Sequence, residues 1–177
     1  MFNEEHTAYL GLGSNLGDKK ENIKNALTIL GKKPGITLLQ YSSIYLTEPA
    51  GTSRQPDFYN CAAKIKTTLS PQSLLKAIKS IETVMGREPG SHFQPRPIDI
   101  DILLYGNIEI NSLDLMIPHS RLPTRAFVLV PLLEIDPGLI HPISFKPLKE
   151  YLAEINPPQK AEKVIDAGEL FQSTEEG

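Results

Sequence analysis

The stretch PRPIDIDILLYG (residues 95–106) decides the fold because its acidic and apolar side chains alternate. In a β-strand, residues i and i+2 point to the same side, so Asp99 and Asp101 share one face, with their side chains rooted roughly 7 Å apart. The other face carries apolar side chains that would point into a core: Ile98, Ile100 and Ile102. The pattern predicts a strand over residues 98–104 that is buried on one side and polar on the other.

Two carboxylates on one strand face allow two interpretations. At this spacing they repel each other by about 2 kcal/mol at an effective dielectric constant of about 20. Such a strand either leaves both side chains in water, as a solvated sheet face, or recruits a cation. The pattern alone leaves both interpretations open.

The length and charge of the chain limit the classes of protein to which it can belong. With 177 residues, 40% of them hydrophobic, it can bury one sizeable core, so we expect a single domain with its core over residues 7–155. The tail, 156–177, has two prolines and many charges and is expected to be peripheral. The net charge of −3 comes from interspersed charges, which argues against a nucleic-acid or membrane-surface binder held by electrostatics alone.

The single cysteine and the N-terminal segment indicate the compartment. Cys61 cannot form an internal disulfide, and its place in an alternating run predicts a small buried side chain in a reducing environment. MFNEEHT (1–7) lacks the basic start and apolar stretch of a signal peptide, and no run of 18 apolar residues occurs. We expect a cytoplasmic, soluble monomer without nucleic-acid or membrane partners.

Hydrophobic periodicity predicts a β-α-β-β-α-β order. In chain order, the elements are a strand at 8–13, a helix capped by Asp18 and stopped at Gly31, strands at 36–47 and 58–67, a helix opened by Ser70 with Gly86 past its end, and the strand at 98–104. This order matches the ferredoxin-like α+β arrangement, an antiparallel sheet with both helices on one face. The opposite face is expected to be open.

The region after residue 104 forms a C-terminal extension to this arrangement. YGN (105–107) is typical of a hairpin turn. FVLVPLLEI (127–135) is expected to be a buried segment that is broken or started by Pro131.

The open face is where we expect the functional residues. Alternation within 58–67 places Phe58 and Asn60 on the face that carries the two carboxylates. Two loops rich in Pro and Gly, 47–57 and 87–97, flank this face. They are long for connections in a compact domain, so they are either lids or binding loops, or ordinary surface loops.

The stretch GLGSNLG (11–17) follows a strand and opens a helix, as phosphate loops do. It lacks the Lys-Ser/Thr of a Walker motif, and no acidic residue follows at the end of the second strand. We interpret it as a tight turn whose glycines allow close packing beneath the site, with Asn15 holding a neighbouring loop.

Four motifs, in this order, resemble the 6-hydroxymethyl-7,8-dihydropterin pyrophosphokinase family of folate biosynthesis: YLGLGSNLGD (9–18), QPDFYN (55–60), PRPIDIDILLYG (95–106) and IPHSRLPTRAFVLVPLLEI (117–135). The resemblance covers residues 8–140. It implies a ferredoxin-like fold and transfer of pyrophosphate from ATP to the hydroxymethyl group of the pterin, giving AMP.

The resemblance also implies which residues serve the ATP side. Asp99 and Asp101 would hold two Mg²⁺ ions, whose preferred ligands are hard oxygens. Together with Arg87 and Arg96 they would be the catalytic residues. The implied ATP contacts are Glu82, Arg87, Phe93, Arg96, Ile102, His119 and Arg125. For Glu82, a solvated helix face is the alternative.

On the pterin side, the resemblance implies aromatic faces around a flat ring and an amide at its edge. The implied contacts are Thr47, Glu48, Pro49, Ala50, Phe58, Asn60, Phe93 and Phe127. For Phe127, a place in the core is the alternative. The chain departs from the family pattern at His92, Phe93, Asp114, Met116 and Ser120, where relatives often have tryptophan or polar or basic residues.

Two other classes share this element order. An RNA-recognition module would need several aromatic and basic residues on the open face, where this chain has carboxylates. A non-catalytic ligand sensor with a ferredoxin-like fold would bind a small molecule without releasing AMP from ATP.

Overall fold

The computed structural model of the chain describes residues 4–49, 54–88, 90 and 94–173, and it confirms the ferredoxin-like α+β arrangement. The strands are β1 (His6–Ser14), β2 (Ile36–Tyr41), β3 (Ile44–Thr47), β4 (Phe58–Thr67), β5 (Asp99–Tyr105), β6 (Ile110–Asn111), β7 (Met116–Ile117) and β8 (Ala161–Ile165). Six of them form an antiparallel sheet in the order β5-β1-β4-β3-β8, with β2 also paired to β4. β5 lies at one edge of this sheet and pairs with β1, so the carboxylates of β5 lie next to β1.

The helices are α1 (Lys19–Lys32), α2 (Pro71–Val84), α3 (Ala126–Ile135) and α4 (Leu148–Glu154). Asp18 and Ser70 cap α1 and α2 as predicted, because each side chain accepts a hydrogen bond from the amide three residues later, at 3.1 Å. The prediction that α1 stops at Gly31 is wrong by one residue, since the helix includes Gly31. None of the helices in the described ranges is long and apolar enough to cross a membrane.

The main core lies between the sheet and the helices α1 and α2. Alternation along β5 sends its isoleucines into this core, as the sequence predicts, and the helices contribute apolar residues at helical spacing. The fully buried members include Leu10, Ile23, Leu27, Leu30, Ile65, Leu74, Ile78, Ile81, Ile98 and Ile100. Cys61 is also a buried core residue, which confirms its predicted place, and burial raises the pKa of its thiol to about 12.

The expectation that the second face of the sheet is open is wrong for part of that face. α3 and α4 pack there in a second core with Leu103, Leu104, Leu129 and Leu132. Residues 127–135 are therefore neither broken nor started by Pro131, which lies inside α3. The local cost of a helical proline is offset because α3 buries apolar side chains against the sheet.

The extended run 36–47 is two strands, and the separation falls at Ser42 and Ser43. Ser42 replaces ladder bonds at this point, since its amide donates to the Ala62 carbonyl and its Oγ accepts from the Ala62 amide, both at 2.8 Å. β2 and β3 can then pair with different parts of β4.

The tail is not peripheral, because β8 extends the sheet by pairing with β3, and Leu170 is fully buried in the main core. A turn does follow Tyr105, but the next strand, β6, pairs with β7 rather than returning along β5. Local composition does not predict the pairing of β8 with β3, since it depends on a distant partner.

Candidate active site

A cavity of about 340 Å³ lies on the second face of the sheet, beside α3 and between the ends of the two Pro/Gly-rich loops. Ten residues predicted for the site line it: Thr47, Glu48, Pro49, Phe58, Asn60, Arg96, Asp99, Asp101, Arg125 and Phe127. The cavity thus brings together carboxylates, guanidinium groups, aromatic rings and an amide.

The strand register places the carboxylates and the amide around β1. Gly13 pairs with Asn60 of β4 on one side and with Asp99 of β5 on the other, and Gly11 pairs with Asp101. A Cβ atom at Gly13 would lie 3.0 Å from Oδ1 of Asn60 and 3.4 Å from the Phe58 ring. A larger residue at this position would therefore crowd the Asn60 amide and the Phe58 ring.

Asp99 is engaged by a cation from the protein itself. Nη1 of Arg87 donates a hydrogen bond to Oδ1 of Asp99 and lies 3.3 Å from Oε2 of Glu82. The Arg87 side chain is 10% exposed, so this ion pair is largely shielded from solvent.

Among the described residues, no Lys, Arg or His side chain forms an ion pair with Asp101, and its surroundings disfavour its charge. Burial raises the pKa of the Asp101 carboxyl above its ordinary value, and the neighbouring Asp99 raises it further, while Lys79 and Arg125 oppose the shift. A divalent cation beside both carboxylates would remove this penalty.

The donor set fits magnesium that arrives with a phosphate ligand. In the described part of the chain, no group of three or more His, Cys, Asp or Glu side chains could hold a metal ion. Mg²⁺ is commonly bound by one or two carboxylates together with substrate phosphates rather than by a complete protein cage. Asp99 and Asp101 match that pattern.

Glu82 does not lie on a solvated helix face, because it is only 3% exposed. Its Oε1 accepts a hydrogen bond from the Ile100 amide at 2.9 Å, and its Oε2 lies 3.5 Å from Nζ of Lys79. The carboxylate thereby ties α2 to the start of β5 and orients Arg87 towards Asp99.

Arg96 is held by Asn15, as the sequence predicts for a loop contact. The Arg96 amide donates to Oδ1 of Asn15 at 2.8 Å, and Nδ2 of Asn15 donates to the Pro56 carbonyl at 3.3 Å. Asn15 therefore joins both Pro/Gly-rich loops. Nε of Arg96 is the one buried side-chain nitrogen or oxygen without a hydrogen-bond partner in the described ranges, so it is a donor available to an anion.

Each aromatic ring of the cavity has an arginine over it. The guanidinium carbon of Arg96 lies 5.6 Å from the centroid of Phe58, and that of Arg125 lies 5.2 Å from the centroid of Phe127. Phe127 is partly buried and lines the cavity, so it is not a core residue.

Four predicted contacts are not part of the cavity wall. Ile102 is 4% exposed and packs in the main core, because alternation places it on the face opposite Asp101. Glu82 and Arg87 lie behind Asp99, as described above. The fourth is His119. Burial lowers the pKa of its imidazole, and the positive charge of Arg125 lowers it further. Nδ1 of His119 accepts a hydrogen bond from the Arg121 amide at 3.2 Å. Three of the predicted or divergent positions, Ala50, His92 and Phe93, lie outside the described residues.

Sequence reasoning missed several residues of the cavity. The lining residues that were not predicted as site contacts are Gly11, Leu12, Gly13, Gln55, Cys61, Ala62, Leu103, Arg121 and Val128. Strand alternation could have given Gly11 and Leu103, which share the face of the carboxylates. Arg121 comes to the cavity through the 3₁₀ turn at Leu122–Thr124, for which the sequence carried no clear signal.

A family model described as 7,8-dihydro-6-hydroxymethylpterin-pyrophosphokinase matches residues 9–137. Among curated proteins, the chain is 43% identical over 150 residues to a 2-amino-4-hydroxy-6-hydroxymethyldihydropteridine pyrophosphokinase of Methylorubrum extorquens, covering 85% of this chain and 94% of that one. It is 44% identical over 148 residues to the protein of the same description from Aquifex aeolicus, covering 84% and 91%.

Other relatives are much longer than this chain. The folic acid synthesis protein fol1 of Schizosaccharomyces pombe is 47% identical over 148 residues, which are 84% of this chain and 20% of that protein. Among solved structures, the Plasmodium falciparum HPPK-DHPS with pteroate superposes with a TM-score of 0.69 at 18% identity, covering 86% of this chain and 43% of that one. This last likeness concerns the fold alone.

Proposed function

Because the chain belongs to the 7,8-dihydro-6-hydroxymethylpterin-pyrophosphokinase family, we propose that it transfers pyrophosphate from ATP to 6-hydroxymethyl-7,8-dihydropterin in folate biosynthesis. The acceptor is the hydroxymethyl group, and the products are AMP and the pterin diphosphate. The observation that carries the proposal is the cavity of about 340 Å³, whose wall holds both phosphate-binding and ring-binding side chains.

The phosphate-binding side chains are arginines and carboxylates. Arg96 and Arg125 offer permanent charge and planar donors to the triphosphate, and Nε of Arg96 is a buried donor without a partner of its own. In-line attack of the pterin hydroxyl on the β-phosphorus builds charge on phosphate oxygens. Positioning and electrostatic stabilisation do most of the work in such a transfer, so no strong protein base is needed.

Asp99 and Asp101 would hold the two Mg²⁺ ions of the ATP complex, which would neutralise phosphate charge and orient the reacting oxygens. What the protein itself does is keep both carboxylates on one strand face. Arg87 would have to release Asp99 on metal binding, which would free its guanidinium for a phosphate oxygen.

The ring-binding side chains are Phe58, Phe127 and Asn60. A flat, polar-edged ring gains stacking energy from aromatic faces and specificity from an amide at its edge. Nδ2 of Asn60 donates to Oγ1 of Thr47, which fixes the orientation of the amide. Thr47, Glu48 and Pro49 would form the main-chain wall beside the ring.

The predicted contacts that do not line the cavity would take other roles. His119 and Arg87 would reach ATP after rearrangement, and Ile102 could contribute only its main chain, because its side chain is in the core. Glu82 would act by orienting Arg87 rather than by contacting nucleotide. Phe93 and Ala50 stay predictions from the resemblance alone.

The proposed partners are ATP and the pterin, with the reaction in the cytoplasm on a monomer. Support comes from the interspersed charges of the sequence and from Cys61, which is free and buried. The oligomeric state can be checked by light scattering during purification.

The decisive test is incubation of the purified chain with ATP, MgCl₂ and 6-hydroxymethyl-7,8-dihydropterin, with products separated by chromatography. We expect AMP and the pterin diphosphate in equal amounts, and no AMP without the pterin. Release of ADP, or pterin binding without any AMP, would contradict the proposal; the second result would favour a ligand sensor.

A further inference from the structure

Gln159 lies in the segment between α4 and β8, outside the residues that the family model matches, and it contacts the chain beside the cavity. Its Nε2 donates to the Thr124 carbonyl at 3.1 Å. Its Oε1 accepts from the Ala126 amide at 2.9 Å. Both partners are main-chain groups, so the contact does not depend on the side chains at those two positions.

The two bonded groups flank Arg125, the residue that precedes α3. Arg125 has extended backbone angles and forms no side-chain cap, so the first amides of α3 need another acceptor. Gln159 supplies one for the Ala126 amide from a segment more than thirty residues away along the chain. It thus fixes the main chain on both sides of Arg125.

This main chain carries two side chains of the cavity. The Arg125 guanidinium lies over the ring of Phe127, and both residues line the cavity of about 340 Å³. The same two residues also line a second cavity, of about 880 Å³, whose lining includes Pro158 and Gln159. Because this segment borders both cavities, it has fewer packing neighbours than a core segment. Hydrogen bonds to its main chain therefore contribute more to holding it in place than they would in a packed core.

We propose that Gln159 is a positioning residue that holds Arg125 and Phe127 in place for the triphosphate and the pterin. This inference rests on the proposed function. The C-terminal segment would then contribute to substrate affinity, although it touches neither substrate. Gln159 is exposed, so water competes for its hydrogen bonds and the effect is modest.

The first test measures binding of 6-hydroxymethyl-7,8-dihydropterin by calorimetry, with a non-hydrolysable ATP analogue and Mg²⁺ present. Gln159→Ala should weaken pterin binding by about three- to tenfold, the scale of one net hydrogen bond. Gln159→Glu keeps the acceptor for the Ala126 amide but loses the Nε2 donor to the Thr124 carbonyl, so it should not restore wild-type affinity. Gln172→Ala is the matched control, an exposed glutamine of the same C-terminal region, and should leave the affinity unchanged.

A double-mutant cycle separates positioning from general destabilisation. Phe127→Ala alone should weaken pterin binding by about ten- to a hundredfold, since stacking of one ring is lost. If Gln159 acts through the wall that carries Phe127, Gln159→Ala should cost less than about twofold in the Phe127→Ala background, because coupled residues are not additive. Equal effects in both backgrounds would overturn the inference.

This experiment distinguishes failure of the proposed function from failure of the role proposed for Gln159. A wild-type chain that binds no pterin overturns the proposed function and the inference with it. Wild-type binding together with an unchanged affinity of Gln159→Ala overturns the inference alone.

Discussion

Arg87 and Asp99 form an ion pair in which Nη1 of the arginine donates to Oδ1 of the carboxylate. The Asp99 side chain is 28% exposed and the Arg87 side chain 10%, so the cation approaches from the protein side. The carboxylate needed for the proposed metal site is therefore already partly neutralised, and any metal ion must compete with Arg87.

This competition predicts opposite effects of one substitution on metal binding and on turnover. Arg87→Ala should tighten binding of Mg²⁺ alone, because one positive charge beside Asp99 is removed, and a unit charge about 4 Å away is worth about 1 kcal/mol in bulk water and about 4 kcal/mol at an effective dielectric constant of about 20. Turnover should fall at least about tenfold, because a phosphate-binding guanidinium is lost. Calorimetric titration with MgCl₂ and steady-state kinetics measure the two effects.

The control for Arg87→Ala is Arg54→Ala, since Arg54 is an exposed arginine that does not line the cavity. Arg54→Ala should change neither the affinity for Mg²⁺ nor turnover. Metal affinity that falls or stays constant in Arg87→Ala would show that Arg87 does not compete for Asp99.

A second prediction concerns Asp101 and pH. Its pKa in the folded protein is raised, first by burial and then by Asp99, so between the unfolded and folded pKa values the folded state binds more protons than the unfolded state. Stability then decreases as pH rises through this window. Asp101→Asn removes the ionisation and should be more stable than the wild type at pH 8 by up to about 4 kcal/mol, the scale of a pKa raised from 3.8 to about 7.

The gain from Asp101→Asn should disappear below the ordinary pKa of an aspartate, near pH 3.8. Urea denaturation without divalent ions, at several pH values, measures it. A stability difference that is constant across this range would mean that Asp101 is not the titrating group.

A third prediction tests the glycine of the cavity floor. Gly13→Ala places a methyl group 3.0 Å from Oδ1 of Asn60, whose amide is already bonded to Thr47, and 3.4 Å from Phe58. We expect pterin binding to weaken at least about fivefold, because the amide and ring must move by a few tenths of an ångström. Calorimetry with the pterin measures the change.

Gly11→Ala is the matched substitution for this experiment. Its methyl group would meet only the Leu103 side chain, at 3.5 Å, an ordinary van der Waals contact. If Gly11→Ala weakens pterin binding as much as Gly13→Ala does, the close approach to Asn60 is not the cause.

A fourth prediction concerns the attachment of α3 to the sheet. The Glu134 carboxylate accepts from the Ser43 amide at 2.7 Å and from the Tyr45 hydroxyl at 2.6 Å, and lies 3.7 Å from Nζ of Lys163. Glu134→Ala should destabilise the fold by about 2–4 kcal/mol, because it leaves two partly buried donors without an acceptor. Urea denaturation gives this value if unfolding is two-state.

The control for Glu134→Ala is Glu162→Ala on β8, whose ion pair with Lys160 is exposed and 4.0 Å long. Its effect should stay within about 0.5 kcal/mol. Equal effects of the two substitutions would mean that the Glu134 contacts contribute no more than a surface ion pair.

Features that depend on neighbours along the chain were predicted well. The alternation that places Asp99 and Asp101 opposite the isoleucines is a property of any strand, and the caps at Asp18 and Ser70 follow from local geometry. The face assigned to Phe58 and Asn60 follows in the same way, and both line the cavity.

Features that depend on distant partners were predicted poorly. Pro131 argued locally against a helix, but burial of α3 against the sheet outweighs that cost. β8 carries mostly exposed residues and is a strand because β3 offers a free edge. Glu82 is buried because an amide of β5 and the side chains of Arg87 and Lys79 surround it, which no local pattern could indicate.

The most direct test of the account is the rate of AMP formation by Asp99→Ala and Asp101→Ala in saturating Mg²⁺, with folding checked by circular dichroism. We predict folded proteins with less than about a tenth of the wild-type rate, because each substitution removes one of the two carboxylates that hold the metal ions. A folded variant that keeps more than that rate would contradict the metal-ligand role of the paired carboxylates.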